Sequence, residues 1–185
     1  MGKLVITEEC LVPRRLTYIN YKGPDPLAFL KDFKTTLRFI FEVSTTRCME
    51  RKLLWDYTGD PLRFYSEWWL RKEMSRFTNM MISIRVIGHV YKTKNSGDFS
   101  LELYGVVEHK FEPSNWLTKY VWLLYNYMFY NQVRENQVVR CRNYIQAFLN
   151  WVKEKYNLPA VTTPEASAEA FRDALGKVPA EPEMS

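Results

Sequence analysis

The sequence predicts an α+β protein: an antiparallel, curved β-sheet with an N-terminal helix and a long C-terminal helix packed on one face. Two observations predict this class. Between residues 46 and 111, four stretches alternate apolar and polar residues, with the period of two that marks strands wetted on one side. From Ser114 to about residue 156, the pattern is instead that of a helix.

The N-terminal segment predicts two strands followed by a helix. Residues 4–12 form a short extended run, and residues 16–21 follow as a second strand. Asp25 and Pro26 then suit the start of a helix, because aspartate accepts hydrogen bonds from free backbone N–H groups and proline has no N–H to lose. Apolar residues at spacings of three and four continue this helix to Phe41.

The four central strands are predicted at residues 46–57, 63–76, 80–92 and 99–111. Short turns join consecutive strands, which favours a meander of hairpins. One face of each strand is apolar and is expected to meet the last helix. The other face carries charges of alternating sign, and we expect these to form solvated cross-strand pairs.

The C-terminal third divides into a long helix and a tail. Residues 116–130 are apolar almost all the way round the predicted helix, and residues 132–157 are amphipathic, with room for a bend near residues 131–136. From Pro159 the chain is acidic and rich in Pro, Ala and Glu, with a short helix signal that would place Phe171 on an apolar face. We therefore predict one α+β domain over residues 1–158 and a tail over 159–185.

Composition argues against a disordered chain and against a membrane-spanning helix, and the charge is unevenly distributed. The 185 residues are 46% apolar and 25% charged, which is typical of a folded chain. The first 158 residues hold 24 of the 26 basic and 16 of the 21 acidic residues, a formal charge of +8, whereas the tail carries −3. The apolar run of fifteen residues is shorter than the ~20 that a transmembrane helix needs.

Cysteine usage favours a cytoplasmic protein. Cys10, Cys48 and Cys141 are odd in number and far apart in the sequence, and no CxxC pair occurs. This pattern is typical of reduced, buried thiols and does not predict a disulfide framework or a zinc site.

The sequence offers no reaction signature. It contains no GxSxG, HExxH or P-loop motif, and strand alternation places His89 on the wet face and His109 on the core face. We therefore assign no catalytic residue, no metal ligand and no cofactor. An enzyme would need a titratable group such as Glu50, Asp56 or His109 in a cavity, and the wet-face carboxylates are not expected to have raised pKa values.

The order of elements resembles the START-like, helix-grip architecture, in which a sheet holds the last helix. The residues that carry the likeness are the predicted helix at 25–41, the meander at 46–111 and the helix at 114–156. The resemblance implies a cavity for a hydrophobic small molecule between the sheet and that helix. The implied ligand-binding residues are Trp68, Leu70, Ile82, Ile84, Leu101, Leu103, Tyr120, Leu124 and Tyr127.

Three functional hypotheses follow. The first is a non-catalytic binding module for a hydrophobic small molecule, or for a protein partner or second copy of the chain. The partner surface would comprise Trp122, Tyr125, Phe129, Tyr130 and Phe171, since aromatic side chains favour interfaces. The second is a basic component of a nucleoprotein or other assembly, using Tyr65, Trp69 and Tyr104 to stack on bases. The third is an enzyme that uses the same cavity.

Overall fold

Six antiparallel strands form one open, uncurled sheet with the long C-terminal helix against one face. A computed structural model describes residues 4–92, 95–111, 116–128 and 130–158, without the side chains of residues 29 and 126–128. The α+β class, the antiparallel pairing and the long last helix are confirmed. The predicted tail at 159–185 lies outside the described residues.

The strand order differs from chain order only at the N-terminus. The strands are β1 Leu4–Glu9, β2 Leu16–Pro24, β3 Cys48–Asp56, β4 Leu62–Ser75, β5 Thr78–Tyr91 and β6 Ser96–Phe111. Strands β3 to β6 are consecutive neighbours, as a meander requires. Both β1 and β2 pair with β6, β1 along residues 106–111 and β2 along residues 96–104.

The helices are more divided than the sequence predicted. They are α1 Ala28–Lys31, α2 Phe33–Phe41, α3 Trp116–Met128 and α4 Asn131–Tyr156, with a 3₁₀ turn at Thr45–Arg47. Asp25 does not cap the first helix, since its φ is 45° and its backbone N–H donates to the Asn95 carbonyl. The predicted helix over 114–156 is two helices that meet at Tyr130, whose N–H donates to the Tyr125 carbonyl at 3.1 Å.

The core lies between the sheet and the helices α2 and α4. Phe33 of α2 contacts both Trp68 of the sheet and Phe148 of α4, with ring centroids 5.3 and 5.9 Å apart. Gly105 lets α4 approach β6, because a Cβ at this position would lie 2.7 Å from the Ile145 side chain. The predicted apolar strand face is therefore the buried one.

A disulfide joins Cys10 to Cys141 across 131 residues of sequence, with the two Cα atoms 5.7 Å apart. The expectation of reduced thiols is wrong for this pair. The spacing of the cysteines in the sequence did not predict the disulfide. Cys10 lies close to α4 because its N–H donates to the Gly105 carbonyl on β6, beneath that helix. Cys48 is a free, buried thiol, and burial raises its pKa.

Candidate functional site

Six of the implied ligand-binding residues form part of the core. They lie side by side on β4, β5 and β6, and all are at most 6% exposed; they are Trp68, Leu70, Ile82, Ile84, Leu101 and Leu103. The side chains opposite them belong to α2 and α4, including Phe33, Ile145 and Phe148. This face of the sheet is therefore occupied by the protein's own side chains.

The structure does not bring the implied ligand-binding residues Tyr120 and Leu124 to this face. Tyr120 and Leu124 lie on α3, where they are 62% and 60% exposed. The helix that covers the sheet is α4, which begins only at Asn131. The side chain of Tyr127 lies outside the described residues.

The predicted partner residues have three different surroundings. Trp122 is half-buried and stacks on Phe111, with centroids 4.7 Å apart and planes inclined by 8°. Tyr125 is exposed, whereas Tyr130 is half-buried and its hydroxyl lies 3.3 Å from Thr78 Oγ1. Phe129 and Phe171 lie outside the described residues.

The helix α3 exposes a continuous apolar surface, which we call the α3 face. Its six members are each 52–66% exposed: Trp116, Leu117, Tyr120, Val121, Leu124 and Tyr125. The surface follows from a helix that is apolar nearly all round, whereas the contacts recorded for it among the described residues are those of Trp122 with Phe111 and of α3 with α4. Exposed apolar surfaces of this kind mark interaction sites.

Aromatic stacking holds α3 against the end of the sheet. Phe111 lies between Trp122 and Phe77, the latter at the β4–β5 turn with its ring centroid 5.9 Å away. Contacts among these three rings, from the end of β6, the β4–β5 turn and the middle of α3, therefore connect α3 to the sheet.

A buried polar cluster lies beneath the junction of α3 and α4. His109 is fully buried; its Nδ1 is hydrogen-bonded to Thr78 Oγ1 at 2.9 Å, and its Nε2 lies 3.2 Å from Glu8 Oε2. Arg134 of α4 approaches the other Glu8 oxygen at 3.5 Å. Burial lowers the pKa of His109, and the charge of Glu8 opposes that shift.

This cluster combines a hydroxyl, an imidazole and a carboxylate, as a nucleophilic site would. Thr78 and His109 both have no exposed surface, so a substrate could not touch the hydroxyl in this arrangement. The cluster instead connects β1, β5 and β6 to the start of α4. Sequence alternation placed His109 on the core face, but Glu8, Thr78 and Arg134 were missed, since no local pattern indicates that β1 pairs with β6.

The face of the sheet opposite α2 and α4 is less exposed to solvent than the sequence predicted. Glu102 is 6% exposed and pairs with Arg85 at 2.8 Å; burial raises its pKa, and the arginine's charge counteracts that rise. The expectation that these carboxylates have no raised pKa is therefore wrong for Glu102. Burial, together with the charge of Glu67, raises the pKa of Tyr65 to about 12.

The three aromatic residues suggested for base stacking are only partly accessible to a nucleic acid. Tyr65 is buried, and Tyr104 is half-buried. Trp69 donates its indole N–H to Glu67 at 3.2 Å and lies under the Arg51 guanidinium, 4.8 Å from the ring centroid. A cleft of about 510 Å³ begins beside Trp69, and there Arg47 is paired with Glu73 at 2.6 Å.

Over the described parts of residues 4–158, no three His, Cys, Asp or Glu side chains are grouped as a metal site would require. Within the same ranges, each helix is too short or too polar to cross a lipid bilayer.

Fold and site together define an α+β protein that displays an aromatic helix at one end of its sheet. No protein-family model matches the chain, and no curated protein matches it.

Proposed function

We propose that this chain is a non-catalytic binding module that docks on an apolar target through the α3 face. The observation that supports the proposal is the exposure of six large apolar side chains, 52–66% each, on one helix. Leaving such an area in water is unfavourable by roughly 25 cal/mol for each Å², so a partner that covers it gains binding energy.

The packing of the sheet favours a surface over an internal cavity as the binding site. Six of the residues implied for a small-molecule site are in contact with the core of α2 and α4. An internal ligand would have to displace those side chains, whereas a ligand at α3 would displace only water.

A relationship to START-like, helix-grip proteins is part of the proposal rather than its basis. The order of strands and helices, with α4 against the sheet, is what supports it. Shared architecture does not fix a function, and what supports docking is the exposed apolar surface of α3.

The cellular compartment is also a matter of proposal. The disulfide removes the ground on which the sequence predicted a cytoplasmic location. A cytoplasmic location was expected from reduced cysteines, but Cys10 and Cys141 are bonded. Disulfides persist mainly in oxidising compartments. We infer that the folded protein functions in a compartment that does not reduce the Cys10–Cys141 bond. Docking through the α3 face does not depend on which compartment this is.

The docking function can be tested with the fluorescent probe 1-anilinonaphthalene-8-sulfonate, which brightens on apolar protein surface. In the full chain, the double variant Leu117→Gln, Leu124→Gln should lose most of the probe's fluorescence, because both leucines lie on the α3 face. The matched control is Phe39→Gln, Val139→Gln, which removes two exposed apolar side chains from α2 and α4. Equal probe binding by the two double variants would overturn the proposal.

A further inference from the structure

The α3 face has a composition suited to a lipid bilayer, and this inference rests on the proposed docking function. We propose that its target is the surface of an anionic membrane, with α3 lying in the plane of the headgroups. A 13-residue helix is about 20 Å long, which is too short to cross the hydrocarbon core but ordinary for a helix lying in the interface.

The distribution of side chains around α3 supports this orientation. At 100° per residue, the aliphatic members Leu117, Val121 and Leu124 fall in the middle of the exposed arc. Trp116 and Tyr125 fall at its two margins. In this arrangement the aliphatic side chains would reach furthest into the acyl chains, while the indole and phenol groups would lie at headgroup level, where these groups are enriched.

The shape of the face also favours a fluid target. The six side chains cover roughly half the circumference of α3 and project outward as a ridge. A rigid protein partner would need a deep apolar groove to cover such a ridge. A bilayer encloses it without a preformed groove.

Basic residues occur on the side of α3 away from the apolar arc and at the strand ends near this helix. Lys119 is the single charged residue of α3. At the adjoining β4–β5 turn, Arg76 is exposed and its guanidinium lies over the Phe77 ring, 5.5 Å from the centroid. Lys110 of β6 directly precedes Phe111, the residue that stacks on Trp122, although the Lys110 ammonium pairs with Glu108.

The charge of the whole domain acts in the same direction. Residues 1–158 carry a formal charge of +8, which would attract the domain to an anionic surface before α3 inserts. Insertion of the apolar face would then add a contribution that salt does not screen.

The experiment measures binding of the full chain to extruded vesicles of phosphatidylcholine with about 30% phosphatidylglycerol, by co-sedimentation. We expect binding that is stronger than to pure phosphatidylcholine vesicles and that weakens as salt is added. The L117Q/L124Q variant should bind at least about tenfold more weakly, because two aliphatic side chains no longer enter the bilayer. The F39Q/V139Q variant should bind as the unchanged protein does.

Circular dichroism and thermal unfolding provide the folding control, since all four substituted side chains are exposed. Absence of binding to the anionic vesicles would overturn the membrane proposal. So would binding that L117Q/L124Q leaves unchanged, because the basic surface alone would then explain it.

The two proposals fail in different ways. If L117Q/L124Q reduces probe binding but the unchanged protein does not bind the anionic vesicles, the α3 face docks on a target other than an anionic membrane. If L117Q/L124Q alters neither probe binding nor vesicle binding, the docking function itself is wrong.

Discussion

At the scale of single residues, the buried imidazole of His109 gives the fold a sensitivity to acid. Burial lowers the pKa of this ring, although the charge of Glu8 opposes the shift. The folded protein therefore keeps His109 neutral at pH values where the unfolded chain, with an ordinary pKa of 6.5, already binds a proton. Acid thus favours the unfolded state in this range.

We expect the free energy of unfolding to decrease as the pH falls through 6.5 towards the lower pKa of folded His109. Urea unfolding at pH values from about 7.5 to 5.5 measures this, since most carboxylates titrate below that range. The variant His109→Gln should lose this part of the pH dependence. An identical pH slope in the variant and the unchanged protein would contradict the assignment.

Sequence reasoning worked at this scale only where a local repeat determines burial. Alternation placed His109 on the core face, and the structure confirms this. The same alternation made Glu102 a solvated residue, but its carboxylate is buried beside Arg85. Exposure on the second face of a sheet depends on neighbouring strands, and a single strand's period contains no information about them.

At the scale of elements, the division between α3 and α4 decides which aromatic residues are available to a partner. The sequence pattern predicts one helix, because apolar residues continue from residue 116 to residue 130 without a Gly or Pro. The division at residue 130 separates the exposed α3 from α4, which covers the sheet. The predicted ligand and partner residues Tyr120, Trp122, Leu124 and Tyr125 therefore lie on α3, and not on the helix that covers the sheet.

The stack of Trp122 on Phe111 is expected to hold α3 in place. The variant Trp122→Ala removes this contact, so amide hydrogens of α3 should exchange roughly tenfold faster or more while those of α4 change little. Hydrogen exchange followed by mass spectrometry of peptides from the full chain measures both helices together.

The matched control is Trp116→Ala, which removes an indole that is 66% exposed and has its ring centroid 6.2 Å from that of Tyr120. We expect smaller changes in exchange from this variant. If both tryptophan variants accelerate exchange in α3 equally, the stack does not hold the helix.

At the scale of the whole molecule, the disulfide joins the segment after β1 to the last helix. Cys10 follows β1, and Cys141 lies in α4, so the bond closes a loop over 131 residues of separation. Such a cross-link restricts the unfolded chain and is expected to stabilise the fold by about 2–5 kcal/mol. Local sequence could not reveal the pairing, because it depends on which strand β1 joins.

Mass spectrometry of the unreduced full chain should show a mass two hydrogens below that of the reduced chain. The variant Cys10→Ser, Cys141→Ser should unfold at lower temperature, by an amount that corresponds to about 2–5 kcal/mol. Cys48→Ala is the control for the mass measurement, since this thiol is free and the variant should keep the bond. Two free thiols at positions 10 and 141 in the unreduced protein would rule out the cross-link.

The shared use of β6 by both N-terminal strands has a consequence for protein synthesis. β1 and β2 lie within the first 24 residues, but the strand with which they pair ends only at residue 111. As the ribosome extends the nascent chain, these early segments leave the exit tunnel long before their partner does. They must therefore be protected from premature association, by chaperones or by their own short length, until most of the domain has been translated.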